Sequence, residues 1–175
     1  GLFMSFFSWR RFPRLVWLFV VGFLVTIDQA SKTYFSGLIP LGASVEVTSW
    51  FNLVHLLNTG AAFSVLADAG GWQRYFLIAV GSLVVIAVSW VCLMKHTATL
   101  DRWVGAMVVG GGLGNLIDRT QTGAVVDFLD IHWRGLHWPA FNFADVFVVA
   151  AAGAWLLVSL RAQSTARSFK PKAPQ

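Results

Sequence analysis

Read along the chain, apolar positions gather into four long runs separated by polar breaks. The first follows Arg14 as LVWLFVVGFLVTI and continues through Asp28-Gln29-Ala30-Ser31-Lys32 to Phe35. That length predicts a retained helix over about 14–36 rather than a cleaved signal, because no small-residue cleavage site follows it. WQRYFLIAVGSLVVIAVSWVCLM predicts a second helix over 72–94, and a glycine-rich third is expected at 99–119. The fourth opens after Pro139, with Asn142 as a good N-cap, and covers 142–160. Two stretches break the pattern. Residues 37–71 hold the turn formers Gly37, Pro40 and Gly42; there SVEVTSWF alternates like a short strand, and GAAFSVLA is too short to span and reads as an interfacial helix. Residues 122–140 include the β-branched, extended AVVDF, and residues 162–175 form a polar basic tail expected to be disordered. The predicted fold class is an all-α membrane protein of four transmembrane helices, with a small strand-containing outer loop region and a short interfacial helix, in a single membrane domain.

Composition agrees with the pattern. Only 12% of residues are charged and 57% are hydrophobic, against about 25% charged in soluble domains. The net charge of +5 does not point to nucleic acid, because Lys and Arg sit at the ends of apolar runs. Arg10, Arg11 and Arg14, Lys95 and Arg102, and Arg161, Arg167, Lys170 and Lys172 account for most of the 13 basic residues. Their placement predicts cytoplasmic termini, a cytoplasmic 95–102 connector, and outer loops at 37–71 and 122–140. The single cysteine, Cys92, allows no internal disulfide.

Charged groups within such a framework are costly and mark candidate sites. Asp28, Ser31 and Lys32 share one helix face, where Asp28 and Lys32 read as a structural ion pair or as substrate contacts. Asn115, Asp118 and Arg119 share a face at the end of the third run, beyond Ala106, Gly110 and Gly114, whose small side chains favour close helix packing. Asn142 and Asp145 repeat the Asn-x-x-Asp spacing at the start of the fourth, where Asp145 is either a plain capping residue at N3 or a functional carboxylate. Asp127, in AVVDF, has no capping role. Asn58 and Gly60 read as a turn or as polar site contacts. His55 is alone in its loop, and His132 and His137 lack metal-ligand spacing, so no metal or other cofactor is expected.

The motifs Asp28-Gln-x-Ser-Lys32, Asn58-Thr-Gly-Ala-Ala-Phe-Ser64, Gly111-Gly-x-Gly-Asn115-x-x-Asp118-Arg119, Gly123-x-Val-Val-Asp127-Phe128 and Phe141-Asn142-x-Ala-Asp145 together resemble those of lipoprotein signal peptidase, also called signal peptidase II. The resemblance implies an aspartic endopeptidase of the bacterial cytoplasmic (inner) membrane with its active site near the outer face. It would remove signal peptides from prolipoproteins just before the diacylglyceryl-modified cysteine. It makes Asp127 and Asp145 the expected catalytic pair. Asn58, Gly60, Asn115, Arg119 and Asn142 become expected substrate contacts, and Asp28, Lys32 and Asp118 structural support. Expected partners are lipid-modified prolipoproteins, membrane lipids and the inhibitor globomycin. A small proton-coupled membrane transporter is the alternative, since it too places carboxylates among helices, but internal repeats and broken helices are not visible. A non-enzymatic scaffold would leave Asp127 unexplained. Two adjoining carboxylates can share one proton, and the helix-start position of Asp145 suggests that it is the ionised member and Asp127 the protonated one.

Overall fold

The computed structural model describes residues 13–60, 71–95 and 98–168, with side chains to Arg161. Four helices, α1 (Arg14–Leu38), α2 (Trp72–Met94), α3 (Thr99–Gln121) and α4 (Phe143–Ser168), are joined with four strands, β1 (Ser44–Thr48), β2 (Phe51–Asn58), β3 (Val125–Trp133) and β4 (Leu136–His137). The protein is a multi-pass membrane protein: α1, α2 and the Phe143–Arg161 part of α4 are long and apolar enough to cross a bilayer. The expected interfacial helix at GAAFSVLA falls on 61–70, outside the described residues. The tail expected to be disordered is helical as far as Ser168, because α4 continues without a break past Leu160.

The third helix is the hub, packing against each of the other three. It is the least apolar of the four helices, and its position explains why. A helix enclosed by neighbours needs small residues that admit backbones rather than large residues that face lipid. Gly111 lies so close to α4 that a Cβ there would strike the carbonyl of Ala144, and a Cβ at Gly114 would strike the Asp28 carboxylate of α1. At the far end, Trp17, Val21, Cys92, Ala106 and Val109 close a small core, and Trp17 Nε1 donates to the carbonyl of Arg102 at 3.0 Å.

The strand content exceeds the expected short strand and extended stretch. One antiparallel sheet runs in the order β1-β2-β3-β4. A two-residue turn at Ser49-Trp50 joins β1 to β2, with Thr48 opposite Phe51. Arg134 (φ 50°) and Gly135 (φ 82°) make the positive-φ turn between β3 and β4. The long-range pairing of β2 with β3 sets Asn58 opposite Val125 and Leu56 opposite Asp127, with a register shift between Leu53 and Leu56. The mostly apolar FNLVHLLN segment shows no clean alternation, and its pairing with β1 on one side and β3 on the other makes it a strand.

Candidate active site

The site forms where β3, the start of α4 and the C-terminal ends of α1 and α3 meet. Asn142 is the link. As the N-cap of α4 its Oδ1 accepts from the Asp145 backbone N at 3.0 Å, while Asp145 Oδ2 accepts from the Asn142 backbone N at 3.3 Å. This is the reciprocal capping arrangement expected for a helix start. The same Asn142 side chain donates through Nδ2 to Asp127 Oδ1 at 2.7 Å. The capping and functional readings of this pair are therefore not alternatives, since one fully buried amide caps the helix and ties Asp145 to Asp127.

Asp127 is buried, at 2% exposure. Burial first, and the neighbouring Asp145 charge second, push its carboxyl up to about 6, against the opposing pull of hydrogen bonds from Asn58 and Asn142 and of Lys32. Asn58 reaches Asp127 because it ends β2 directly beside β3. Its Oδ1 accepts from the Gly60 backbone N at 2.8 Å, which leaves its amide N–H groups for Asp127. Gly60 holds that turn at φ 89°. Its N–H is engaged with Asn58, which belongs to both the turn and the carboxylate cluster.

A buried polar cluster lies behind the pair. Lys32 Nζ donates to Asp28 Oδ2 at 2.7 Å, Asp118 Oδ2 at 3.0 Å and Asn115 Oδ1 at 3.0 Å. Asn115 Nδ2 donates to Asp145 Oδ1 at 2.9 Å. Asp28 Oδ1 accepts from Ala144 N at 2.9 Å, adding a second anchor for the start of α4. Asp118 accepts from Gln29 Nε2 at 2.8 Å and from Val126 N at 3.1 Å, tying α3 to α1 and β3. Gln29 escaped the sequence-based site list, although its place between Asp28 and Lys32 in the first motif was the available signal. The Arg119 guanidinium lies within the fields of Asp145, Asp127 and Asp118, and its Nε is buried without a hydrogen-bond partner.

His132 and His137 are placed elsewhere. The period of two along β3 turns Asp127 and His132 to opposite faces. His137 is held by Asp130, Nδ1 to Oδ1 at 2.9 Å, and stacks on His132. Burial opposes ionisation of Asp130, but hydrogen bonds from His137 and Asn52 outweigh it, and the carboxyl sits below its ordinary value. Beside Asp145, a groove of about 800 Å³ runs between α4 and the strand-to-helix connector, walled by Trp138, Pro139, Phe141, Val146 and Val149. From sequence Pro139 reads only as a helix stop and Phe141 only as part of a motif, while Trp138, Val146 and Val149 are not singled out. The arrangement offers two coupled carboxylates, one with a raised pKa, next to an apolar channel.

Residues 20–161 match the family model described as signal peptidase (SPase) II. The chain belongs to the signal peptidase II family. A lipoprotein signal peptidase of Aeromonas hydrophila subsp. hydrophila is 43% identical over 155 residues, covering 86% of this chain and 90% of that protein. One from Serratia marcescens is 46% identical over 143 residues, covering 81% and 82%. A solved structure titled as a bacterial membrane enzyme determined by the in meso method at 2.3 Å resolution superposes with a TM-score of 0.74 at 26% identity, covering 91% of this chain and 94% of that one. A second of the same description, at 1.9 Å, gives 0.73 at 27% identity over 82% and 92%. As a signal peptidase II, the chain is an aspartic-type membrane protease, and the transporter reading has no support.

Proposed function

We propose that this signal peptidase II removes the signal peptide from bacterial prolipoproteins by cutting just before the diacylglyceryl-modified cysteine, with Asp127 and Asp145 as the catalytic pair. The observation that carries the assignment is Asn142, whose side chain donates to Asp127 Oδ1 and whose backbone N donates to Asp145 Oδ2. Asp145, hydrogen-bonded on both oxygens by Asn115 and the Asn142 backbone, is the ionised member and takes a proton from the attacking water. Asp127, whose carboxyl is held up to about 6, keeps the shared proton and gives it to the scissile carbonyl oxygen. Substrate that covers the site removes water and moves Asp127 further in the same direction. Collapse of the tetrahedral intermediate returns a proton to the leaving amine, and the pair is restored. Such a pair performs the hydrolysis with neither a metal nor a nucleophilic serine.

Arg119, Asn58 and the groove beside Asp145 are the substrate-facing elements, and globomycin is expected to occupy the same site. We place the enzyme in the cytoplasmic membrane, with α3 as a fourth span, both termini inside, and the sheet and site at the outer face among membrane lipids. The test is cleavage of a diacylglyceryl-modified prolipoprotein by purified enzyme in detergent. Asp127→Asn and Asp145→Asn should each lower kcat by at least about 10³-fold in folded protein, and EDTA should have no effect. Substantial turnover by either variant, or EDTA inhibition that zinc reverses, sinks the aspartyl assignment.

A further inference from the structure

The geometry points to Lys32 as a positioning residue for catalysis, acting on Asp145 through the side-chain amide of Asn115; this rests on the assignment of Asp145 as base. Lys32 is 3% exposed, and among the described residues its ammonium pairs with Asp28 and Asp118 and not with Asp145. An ammonium has three hydrogens and no acceptor, and here all three have partners: Asp28 Oδ2, Asp118 Oδ2 and Asn115 Oδ1. A carboxamide has two unlike ends, and whichever end meets an ammonium must be the oxygen. With Asn115 Oδ1 facing Lys32, and also accepting from Asn142 Nδ2 at 3.3 Å, its Nδ2 is turned toward Asp145 Oδ1 at 2.9 Å. Reversal of the amide would set its N–H groups against the ammonium and the Asn142 amide, and its oxygen against a carboxylate. Lys32 thus makes one of two amide orientations mandatory and keeps a donor on the base.

Asp28 and Asp118 have different work. Asp28 anchors the start of α4 through Ala144 N, and Asp118 joins α3 to β3 through Val126 N. Both also balance the Lys32 charge. A purely structural ion pair would need nothing from Asn115, whereas the third Lys32 bond goes to the residue that touches Asp145.

The test measures kcat and KM per folded molecule for the full-length enzyme on a diacylglyceryl-modified prolipoprotein, with thermal melting and gel filtration to count folded protein. Lys32→Met should lower kcat by about 10²-fold, the usual cost of a misplaced catalytic group, with little change in KM, and Lys32→Arg should recover part of the loss. The Lys32→Met/Asn115→Ala double variant should be no slower than Asn115→Ala alone, because both changes remove the same donor. Should Lys32→Met fail to fold, Asp28→Asn/Lys32→Met keeps the net charge of the cluster and an oxygen acceptor for Ala144 N. It is then compared with Asp28→Asn, against which the same fall in kcat is expected. Unchanged kcat per folded molecule, or a double-variant loss equal to the product of the single losses, overturns the inference. Turnover by Asp145→Asn would instead overturn the catalytic assignment itself.

Discussion

Asp127 shows what a single residue in this site costs and supplies. Its carboxyl is raised from an ordinary 3.8 to about 6, so the folded protein holds the proton more tightly than the unfolded chain. The stability contribution is therefore fully present below pH 3.8, is lost as pH rises toward 6, and is constant above. A rise of that size corresponds to at most about 3 kcal/mol. Asp127→Asn, which cannot ionise and still offers an oxygen to Asn142, should melt near the wild type at pH 4 and above it at pH 7. A gap between the two proteins that does not widen from pH 4 to pH 7 would refute the raised value. The same residue is then a liability in stability and an asset in chemistry, because a carboxyl with a value near 6 can act as an acid close to neutrality. Asn142 is the complementary case, a helix cap by type and position whose second end reaches Asp127.

Among the elements, α3 and its contact with α4 decide whether the site is assembled. Asn115 and Arg119 come from α3, Asn142 and Asp145 from α4, and the two helices approach through Gly111, where any Cβ meets the Ala144 carbonyl. A rigid backbone cannot yield as a side chain can, so Gly111→Ala must displace the start of α4. The expected cost is about 1–3 kcal/mol, accompanied by a disproportionate loss of cleavage, because a shift of about 1 Å in a catalytic group lowers the rate by about 10²-fold. Gly153→Ala, where a Cβ meets nothing within 4 Å, is the control and should leave both melting temperature and turnover unchanged. Equal behaviour of the two variants would mean that the α3–α4 approach does not govern the site. The sheet acts in the same way on the other side, where pairing of β2 with β3 brings Asn58 to Asp127.

For the whole molecule, the arrangement predicts which side of the membrane each loop occupies. Arg14, Lys95, Arg102 and Arg161 lie at helix ends remote from the sheet, while β1 to β4 and the carboxylate pair share the opposite end. A cysteine placed at Ser44, the first residue of β1, should react with a membrane-impermeant thiol reagent added from outside the cytoplasmic membrane. Labelling only from the cytoplasmic face would reverse the topology. On that topology the groove beside Asp145, an apolar channel of about 800 Å³ at the sheet end of α4, would open on the outer side, where a lipid-modified substrate would present its scissile bond.

Much of this was legible along the chain. Long apolar runs dictate helices regardless of their partners, since backbone groups in lipid must be satisfied within the segment. Charged residues inside such runs stand out because their presence is costly; Asp28, Lys32, Asp118 and Asp145 were visible for that reason, and Asp127 because nothing local explained it. Residues whose role depends on what lies opposite were not legible. FNLVHLLN becomes a strand only on pairing with β1 and β3. The partner of the Gly60 N–H shows only once the Asn58 side chain is placed, and the apolar wall at Trp138 to Phe141 has no chemistry until α4 faces it. Sequence by itself determined the helices, the membrane class and the identity of the charged residues, because these follow from local hydropathy and from the cost of burying charge. Tertiary structure alone decided that Asn142 serves two carboxylates, that Asn115 stands between Lys32 and Asp145, and that Asp127 is pushed toward neutrality, because hydrogen-bond direction and desolvation depend on groups brought together from distant parts of the chain.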